Sequence, residues 1–349
     1  MAFNVILFFY LCFMSFQNPQ ISVIVPVFRV SSFIERSLES LLNQSFREFE
    51  LILVDDCGGD DSIAIAEKLL KGSWLENSFK IIRNEVNLGV SASRGRGMDA
   101  SVGSYIIHLD SDDYFEPDLL ETLFKIIKDT DSDLAICGYI AEEMERSLSF
   151  VSDVKGVQIL HNDIERVNYL KEMLSNRVPS ALWNKLASRE LYLKGGISFS
   201  PDLRDDLSLS PLLIVNAEKI AIIDRALIHY VMYNSSSVSV SVNHLNLISS
   251  TLNYLEEVLP SKLKLLCKEE LLLYKVRTRR RLILHQETKG NKLPEILKLF
   301  PEVNQEILNH NNPEEKFHYR LLATLSARGD SYAIRVVRWF LRAIILKKN

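Results

Sequence analysis

The sequence predicts an α/β fold built on a largely parallel sheet, followed by a mostly helical C-terminal region. Three observations carry this expectation. Continuous β-branched and aliphatic runs, suited to strands buried on both faces, recur between Ile21 and Cys137. Segments of helical period alternate with them, the rhythm of crossover-linked parallel strands. Beyond about Asn243 the strand-like runs give way to helical periodicity interrupted by Pro260, Gly290, Pro294, Pro301 and Pro313.

Ile21-Ser-Val-Ile-Val-Pro-Val-Phe28 is the first strand, which Pro26 is expected to end. Ser31 to Asn43 spaces Phe33, Ile34, Leu38, Leu41 and Leu42 as one helical face. Glu50 to Asp55 reads as a second strand, Ser62 to Leu70 as a helix and Lys80 to Arg83 as a short third strand. Ser91 to Ala100 is a helix, and Tyr105 to Leu109 a fourth strand closing on acidic residues. Leu119 to Lys128 is helical, Asp133 to Cys137 a strand, and Ala141 to Gly156 an exposed excursion. Ile164 to Leu174 is a helix, while Ile220 to Asp224 and Ala226 to Met232 are two late strands. The division expected is an apolar extension over 1–20, an α/β domain over 21–242 and a helical region over 243–349.

Composition narrows the class. With 47% hydrophobic and 25% charged residues the chain has the balance of a folded globular protein, and 349 residues suffice for two units. A net charge of −4 gives no general attraction to polyanions, so no nucleic-acid partner is expected. Cys12, Cys57, Cys137 and Cys267 are scattered without a CxxC pair, which fits a reducing cytoplasm better than a zinc site or disulfide framework. The apolar run Val5 to Phe16 is short for a membrane span and lacks a basic flank.

In open α/β sheets the ligand crevice lies at the carboxyl ends of the strands. The residues there are Phe28-Arg29, Asp55-Asp56 and Asp110-Ser-Asp-Asp113. Two carboxylates one residue apart after a buried strand suit Mg²⁺ or Mn²⁺, hard ions that keep positions open for phosphate oxygens; a solvated acidic turn is the plainer reading. Asp55-Asp56 leads into Cys57-Gly58-Gly59-Asp60-Asp61, where a carboxylate either accepts from a base N–H or caps the next helix. Asn87-Leu-Gly89 and Ser93-Arg94 follow, and Arg94 suits either a diphosphate or an ordinary ion pair.

These segments, in this order and rough spacing, resemble the family-2 glycosyltransferases over about Ile21 to Ser239. The resemblance implies a GT-A domain, Rossmann-like in its nucleotide-diphospho-sugar binding, an inverting mechanism and a nucleotide-sugar donor, commonly a UDP-sugar. Carried over, Pro26, Val27 and Phe28 line the nucleoside pocket and Asp56, beside Asp55, contacts the base. Asn87 belongs to the donor side, Arg94 approaches the diphosphate or sugar, Asp110 and Ser111 lie near the ribose or donor sugar, and Asp112 binds the metal. The later acidic pair Asp205-Asp206 supplies the base, taken as Asp206, with an N-terminal helix cap as the alternative. Trp183 and Lys185, with Asp113, fall on the acceptor side; Trp183 either stacks on a sugar or fills core. Arg29 and Gly95 stand where the family often has asparagine, and His229-Tyr230-Val-Met232 lacks the family's arginine before Ser237-Val-Ser239.

The expected activity is transfer of a hexose or N-acetylhexosamine to a glycan acceptor of lipopolysaccharide, capsule or exopolysaccharide. A non-catalytic nucleotide-sugar or glycan-binding module is the alternative. A nucleotidyltransferase is weaker, since no Gly-rich, Lys-bearing loop follows Pro26. A dinucleotide oxidoreductase is weaker again, since Gly95-Arg-Gly97 does not follow the first strand. Tyr332 to Lys348 is amphipathic and basic, which suits either the inner membrane surface, where a lipid-linked acceptor resides, or packing on the catalytic domain. The arginines at 277 and 279 to 281 extend a basic face or are simply solvated.

Overall fold

The computed structural model describes residues 19–143, 147–153, 155–194, 197–232, 244–285, 293–304, 317–329 and 332–337. The chain divides into two compact units. One runs to Leu170 and resumes over Pro179–Ser241; the other comprises Lys171–Val178 and Val242–Asn349.

The first unit is built on a sheet of ten described strands in the order β3-β2-β1-β4-β9-β6-β10-β5, with β7 paired to β6 and β8 to β10. These are β1 (Ile21–Val27), β2 (Phe49–Asp55), β3 (Phe79–Arg83), β4 (Tyr105–His108), β5 (Tyr114–Phe115), β6 (Leu134–Glu142), β7 (Ser147–Phe150), β8 (Val157–Leu160), β9 (Lys185–Ser188) and β10 (Ile220–Val231). The helices are α1 (Ile34–Leu42), α2 (Ser62–Leu70), α3 (Val90–Ala100), α4 (Leu119–Thr130), α5 (Asp163–Leu174, of which the part from Lys171 is counted with the second unit), α6 (Arg189–Lys194) and α7 (Asp205–Asn216). Strands β3, β2, β1 and β4 are mutually parallel, as their hydrophobic runs demand. Val23, Val25, Leu51, Leu53 and Ile107 are fully buried in the core they share with Leu38, Leu41 and Leu123 of α1 and α4.

Pro26 does not end β1. It pairs in register with Val54 of β2, and the strand continues to Val27. Ile24 O accepts from Leu109 N on the β4 side and Val27 O from Asp56 N on the β2 side. Two-residue alternation therefore turns position 26 toward β4, beyond the last β1–β4 pair at Ile24 and His108, where no N–H is required. A Cβ on Gly97 would lie 2.4 Å from Ile24 Cγ2 and 3.3 Å from Val54 Cγ2. Only hydrogen at that position lets α3 rest directly on β1 and β2.

Beyond β4 the largely parallel sheet takes up an antiparallel strand. Strand β9 enters between β4 and β6 antiparallel to both, so the sheet is mixed. The two late strands are one, β10, with register shifts between Ile222 and Ile228. Of the excursion from Ala141, the first residues prolong β6, and β7 pairs back on it with all four residues exposed.

The second unit contains α8 (His244–Val258), α9 (Ser261–Leu266), α10 (Lys268–His285), α11 (Leu293–Lys298) and α12 (Phe317–Ala327). Inside it Lys275 Nζ lies 2.8 Å from Glu256 and 2.5 Å from Glu302. Arg279 is buried and donates to Leu299 O and Asn304 Oδ1. Neither a basic face nor solvation describes it, because Nη1 makes both of these bonds and Nη2 is buried without a hydrogen-bond partner. No described helix is long and apolar enough to cross a membrane. The Val5–Phe16 run, Ser237-Val-Ser239 and most of the basic C-terminal stretch lie outside the described residues.

Candidate active site

The ends of β1 and β2 are tied together through their loops. Arg29 has φ 54° and donates from Nε to Gly58 O at 3.1 Å. The left-handed backbone there is one asparagine tolerates well, which gives a physical reason for the family's preference. Asp60 accepts from Ser31 N and Ser62 Oγ, while Ser62 Oγ accepts from Val30 N. Phe28 remains exposed at the strand end, Val27 is buried beneath it, and Asn87 is exposed nearby in sequence to Gly89.

Asp56 is 3% exposed, and the chain itself fills its carboxylate. Oδ1 accepts from Asn84 Nδ2 and Leu88 N, both at 2.7 Å, and Oδ2 from Gly89 N at 2.9 Å. Its observed work is to fix the loop entering α3, where Gly89 takes φ 86°. Asp55 keeps a half-buried side chain and accepts only from Cys57 N among the hydrogen bonds seen here.

Arg94, on the buried face of α3, joins two distant acidic segments. Nη2 donates to Asp110 and Nη1 to Asp205, making the ion pair the sequence left open. With 2% exposure this guanidinium is held in a low-dielectric setting between two carboxylates. Burial lifts Asp110 to about 7 despite Arg94, and repulsion from Asp112, Asp206 and Asp205 adds to that rise. Asp113 is buried and raised by burial and by Asp110 and Asp112, although Oδ1 accepts from Val231 N at 2.8 Å. Its Oδ2 is buried without a partner. Ser111 is buried between them. Beneath Arg94 the ring nitrogens of His108 are also unpartnered, and burial followed by the Arg94 charge holds that imidazole neutral.

Helix α7 begins with Asp205 and Asp206, and their roles diverge. Asp205 is consumed by Arg94 and by the N–H of Asp206, which its Oδ1 accepts at 3.0 Å. Asp206 accepts from Leu182 N at 3.0 Å and does not cap its own helix. Burial and Asp205 raise its basicity, opposed by Arg94, Arg204 and the Leu182 N–H. A carboxylate with few donors and a like-charged neighbour is the better proton acceptor.

The acceptor-side residues divide. Lys185 and Asp113 are 0% and 1% exposed, Lys185 at the start of strand β9 and Asp113 accepting from the Val231 N–H. Trp183 is 6% exposed and belongs to the core cluster, stacked on Tyr230 at 5.6 Å and edge-on to Tyr139 at 5.1 Å. Tyr230 faces the carboxylates: burial and the charges of Asp113, Asp110, Asp112 and Asp206 push its hydroxyl up to about 12.

Among the described residues no group of three or more His, Cys, Asp or Glu side chains could hold a metal unaided. The residues nevertheless suit a divalent ion shared with a ligand. Asp110, Asp112 and Asp113 crowd negative charge, and the unpartnered Asp113 Oδ2 and raised carboxylates show that the chain's own cations do not neutralise it.

The model of Glycosyl transferase family 2 matches residues 22–182. Cholesterol galactosyltransferase of Borreliella burgdorferi is 30% identical over 249 residues, covering 69% of this chain and 67% of that protein. The chain belongs to glycosyl transferase family 2. EpsH of Bacillus subtilis is 34% identical over 183 residues, 52% of this chain and 51% of its own. Against this relative and EpsJ, the matched part spans only 51% and 61% of their lengths. Among solved structures, S. aureus TarS 1-349 in complex with UDP-GlcNAc superposes with TM-score 0.70 at 20% identity, covering 93% and 92% of the two chains. The mannosyltransferase PcManGT of Pyrobaculum calidifontis, in complex with GDP-Man and Mn²⁺, gives TM-score 0.52 at 15% identity, covering 95% and 87%. The fold of this family-2 chain is GT-A, with a mixed sheet and added C-terminal helices.

Several contributors were not read from the sequence. Leu182 acts through a backbone N–H, and Asn84 through a side-chain Nδ2 that only the fold brings to Asp56. His229 lies between Glu116 and Glu142 at 2.8 Å from each and stacks on Tyr114 at 4.1 Å. The sequence marked His229 only as part of the segment that lacks the family's arginine.

Proposed function

We propose that this chain is an inverting glycosyltransferase that moves a hexose or N-acetylhexosamine from a nucleotide-sugar, a UDP-sugar foremost, to a glycan or lipid-linked glycan acceptor of a bacterial surface polysaccharide. The observation that carries this reading is Arg94 holding Asp110 and Asp205 at once, which brings the acidic end of β4 to the acidic start of α7. Family membership and a fold shared with a UDP-GlcNAc complex support it.

Asp206 takes the proton of the acceptor hydroxyl as that oxygen attacks the anomeric carbon in line, and the Leu182 N–H fixes the accepting carboxylate. Asp205 is occupied by Arg94 and serves to place it. Pro26, Val27, Phe28, Asp55 and Asn87 form the nucleoside side, with Asp56 shaping the loop from beneath. Asp112, with Asp110 beside it, would hold Mn²⁺ or Mg²⁺, whose charge would neutralise the departing diphosphate. A site on the inner face of the membrane suits the expected acceptor.

Donor binding by calorimetry and sugar transfer test this together. Asp112→Asn should lose metal-dependent donor binding, and Asp206→Asn should keep binding and lose transfer. Transfer at the parental rate by Asp206→Asn would refute its assignment as base.

A further inference from the structure

The Ala181–Lys185 segment contains a fully buried lysine whose ammonium touches no carboxylate among the contacts seen here. Lys185 Nζ donates to Ala181 O and to Asn184 Oδ1, the latter at 2.8 Å. Between those two acceptors the turn presents Leu182 N to Asp206 Oδ1. Bracing alone does not require a charge here. Ser210 Oγ already donates to Ala181 O at 3.2 Å, and Asn184 Nδ2 to Cys137 O at 2.9 Å. An ammonium taken from water without a paired carboxylate is a costly brace.

We propose that Lys185 is a positioning residue for Asp206: its ammonium holds the turn whose Leu182 N–H fixes the base, and its charge sets the pH at which that base is free. This rests on the reading of Asp206 as the base. The groups facing Asp206 are Asp205 and Arg204 at the start of α7, Arg94 on α3, Asp110 after β4, Tyr230 on β10 and Lys185 on β9. Those facing Lys185 are Asp206 and Cys137. Burial brings the amine down to about 7, with Asp206 and then Cys137 opposing the fall. A positive charge near Asp206 favours its ionised form, so removing that charge makes the carboxylate hold its proton to higher pH. The acid limb of transfer must then move upward.

The test is the pH profile of kcat/KM for the full chain and for Lys185→Met, with donor KM measured in parallel. The expected result is an acid limb displaced upward by about one pH unit with donor KM little changed. Ser210→Ala, which removes a brace and keeps the charge, should retain the parental limb. A Lys185→Met profile superimposable on the parent overturns the proposal, and so does an equal displacement in Ser210→Ala. Should Lys185→Met not fold, the ¹³Cε titration of Lys185 decides, because linkage is reciprocal. Its midpoint should fall in Asp206→Asn, where the neighbouring negative charge is gone, and an unchanged midpoint overturns the proposal. Failure of the base reading itself is separate, since Asp206→Asn would then still transfer sugar.

Discussion

Strands β2 and β4 both leave the parallel sheet on acidic residues, yet the two ends are opposite in character. After β2, Asp56 accepts three hydrogen bonds from Asn84, Leu88 and Gly89, and the carboxylate becomes part of the scaffold. After β4, Asp110 and Asp113 face other carboxylates, with Arg94 the cation beside Asp110 and Arg36 the one acting on Asp113, and both are held above the ordinary range. The difference lies in the supply of donors. The loop entering α3 folds its N–H groups onto Asp56, whereas Asp113 receives one N–H, from Val231 of β10, and keeps one oxygen with none. Carboxylates satisfied by their own chain hold structure; those left in mutual repulsion are prepared for a cation or a proton.

The largest expected effect sharpens this contrast at α7. Asp206→Asn should lower sugar transfer by about 10³-fold, within the range for loss of a general base, while calorimetry shows donor affinity retained. Arg94→Met should follow, costing about 3 kcal/mol in denaturant unfolding because buried Asp205 and part-buried Asp110 lose their shared cation. Those carboxylates would then have raised folded pKa values, so stability is gained as pH falls through them. The deficit should be greatest above pH 7 and shrink on acidification.

Asp56→Asn tests the other side of the comparison. It replaces an acceptor by an NH₂ facing N–H groups and should cost about 1–3 kcal/mol, with transfer in the folded fraction reduced far less than by Asp206→Asn. A larger loss of donor binding than of stability would move Asp56 from scaffold to site. Gly97→Ala should cost about 1–3 kcal/mol by thermal unfolding with donor affinity unchanged, because its methyl must displace Ile24 Cγ2.

The parallel half of the sheet was legible because β1, β2 and β4 are buried on both faces and their sequences say so. Strand β9 was not, because Lys185-Leu-Ala-Ser188 is four residues long and begins with a lysine that only the fold buries. Bulges within β10 broke its pattern into two apparent strands. The acidic positions could be read from their strand ends, but not which carboxylate had donors. That depends on Leu88, Gly89 and Leu182 backbone groups, which carry no side-chain signature.

The central claim, that the Asp110–Asp113 turn binds a nucleotide-sugar through a divalent ion, is tested most directly by calorimetry of UDP-GlcNAc and a panel of UDP-, GDP-, CMP- and dTDP-sugars, each with Mn²⁺ and with chelator. Binding of one donor that requires Mn²⁺ and disappears in Asp112→Asn is the predicted result. Equal binding by the parent and Asp112→Asn, or none across the panel, would contradict it.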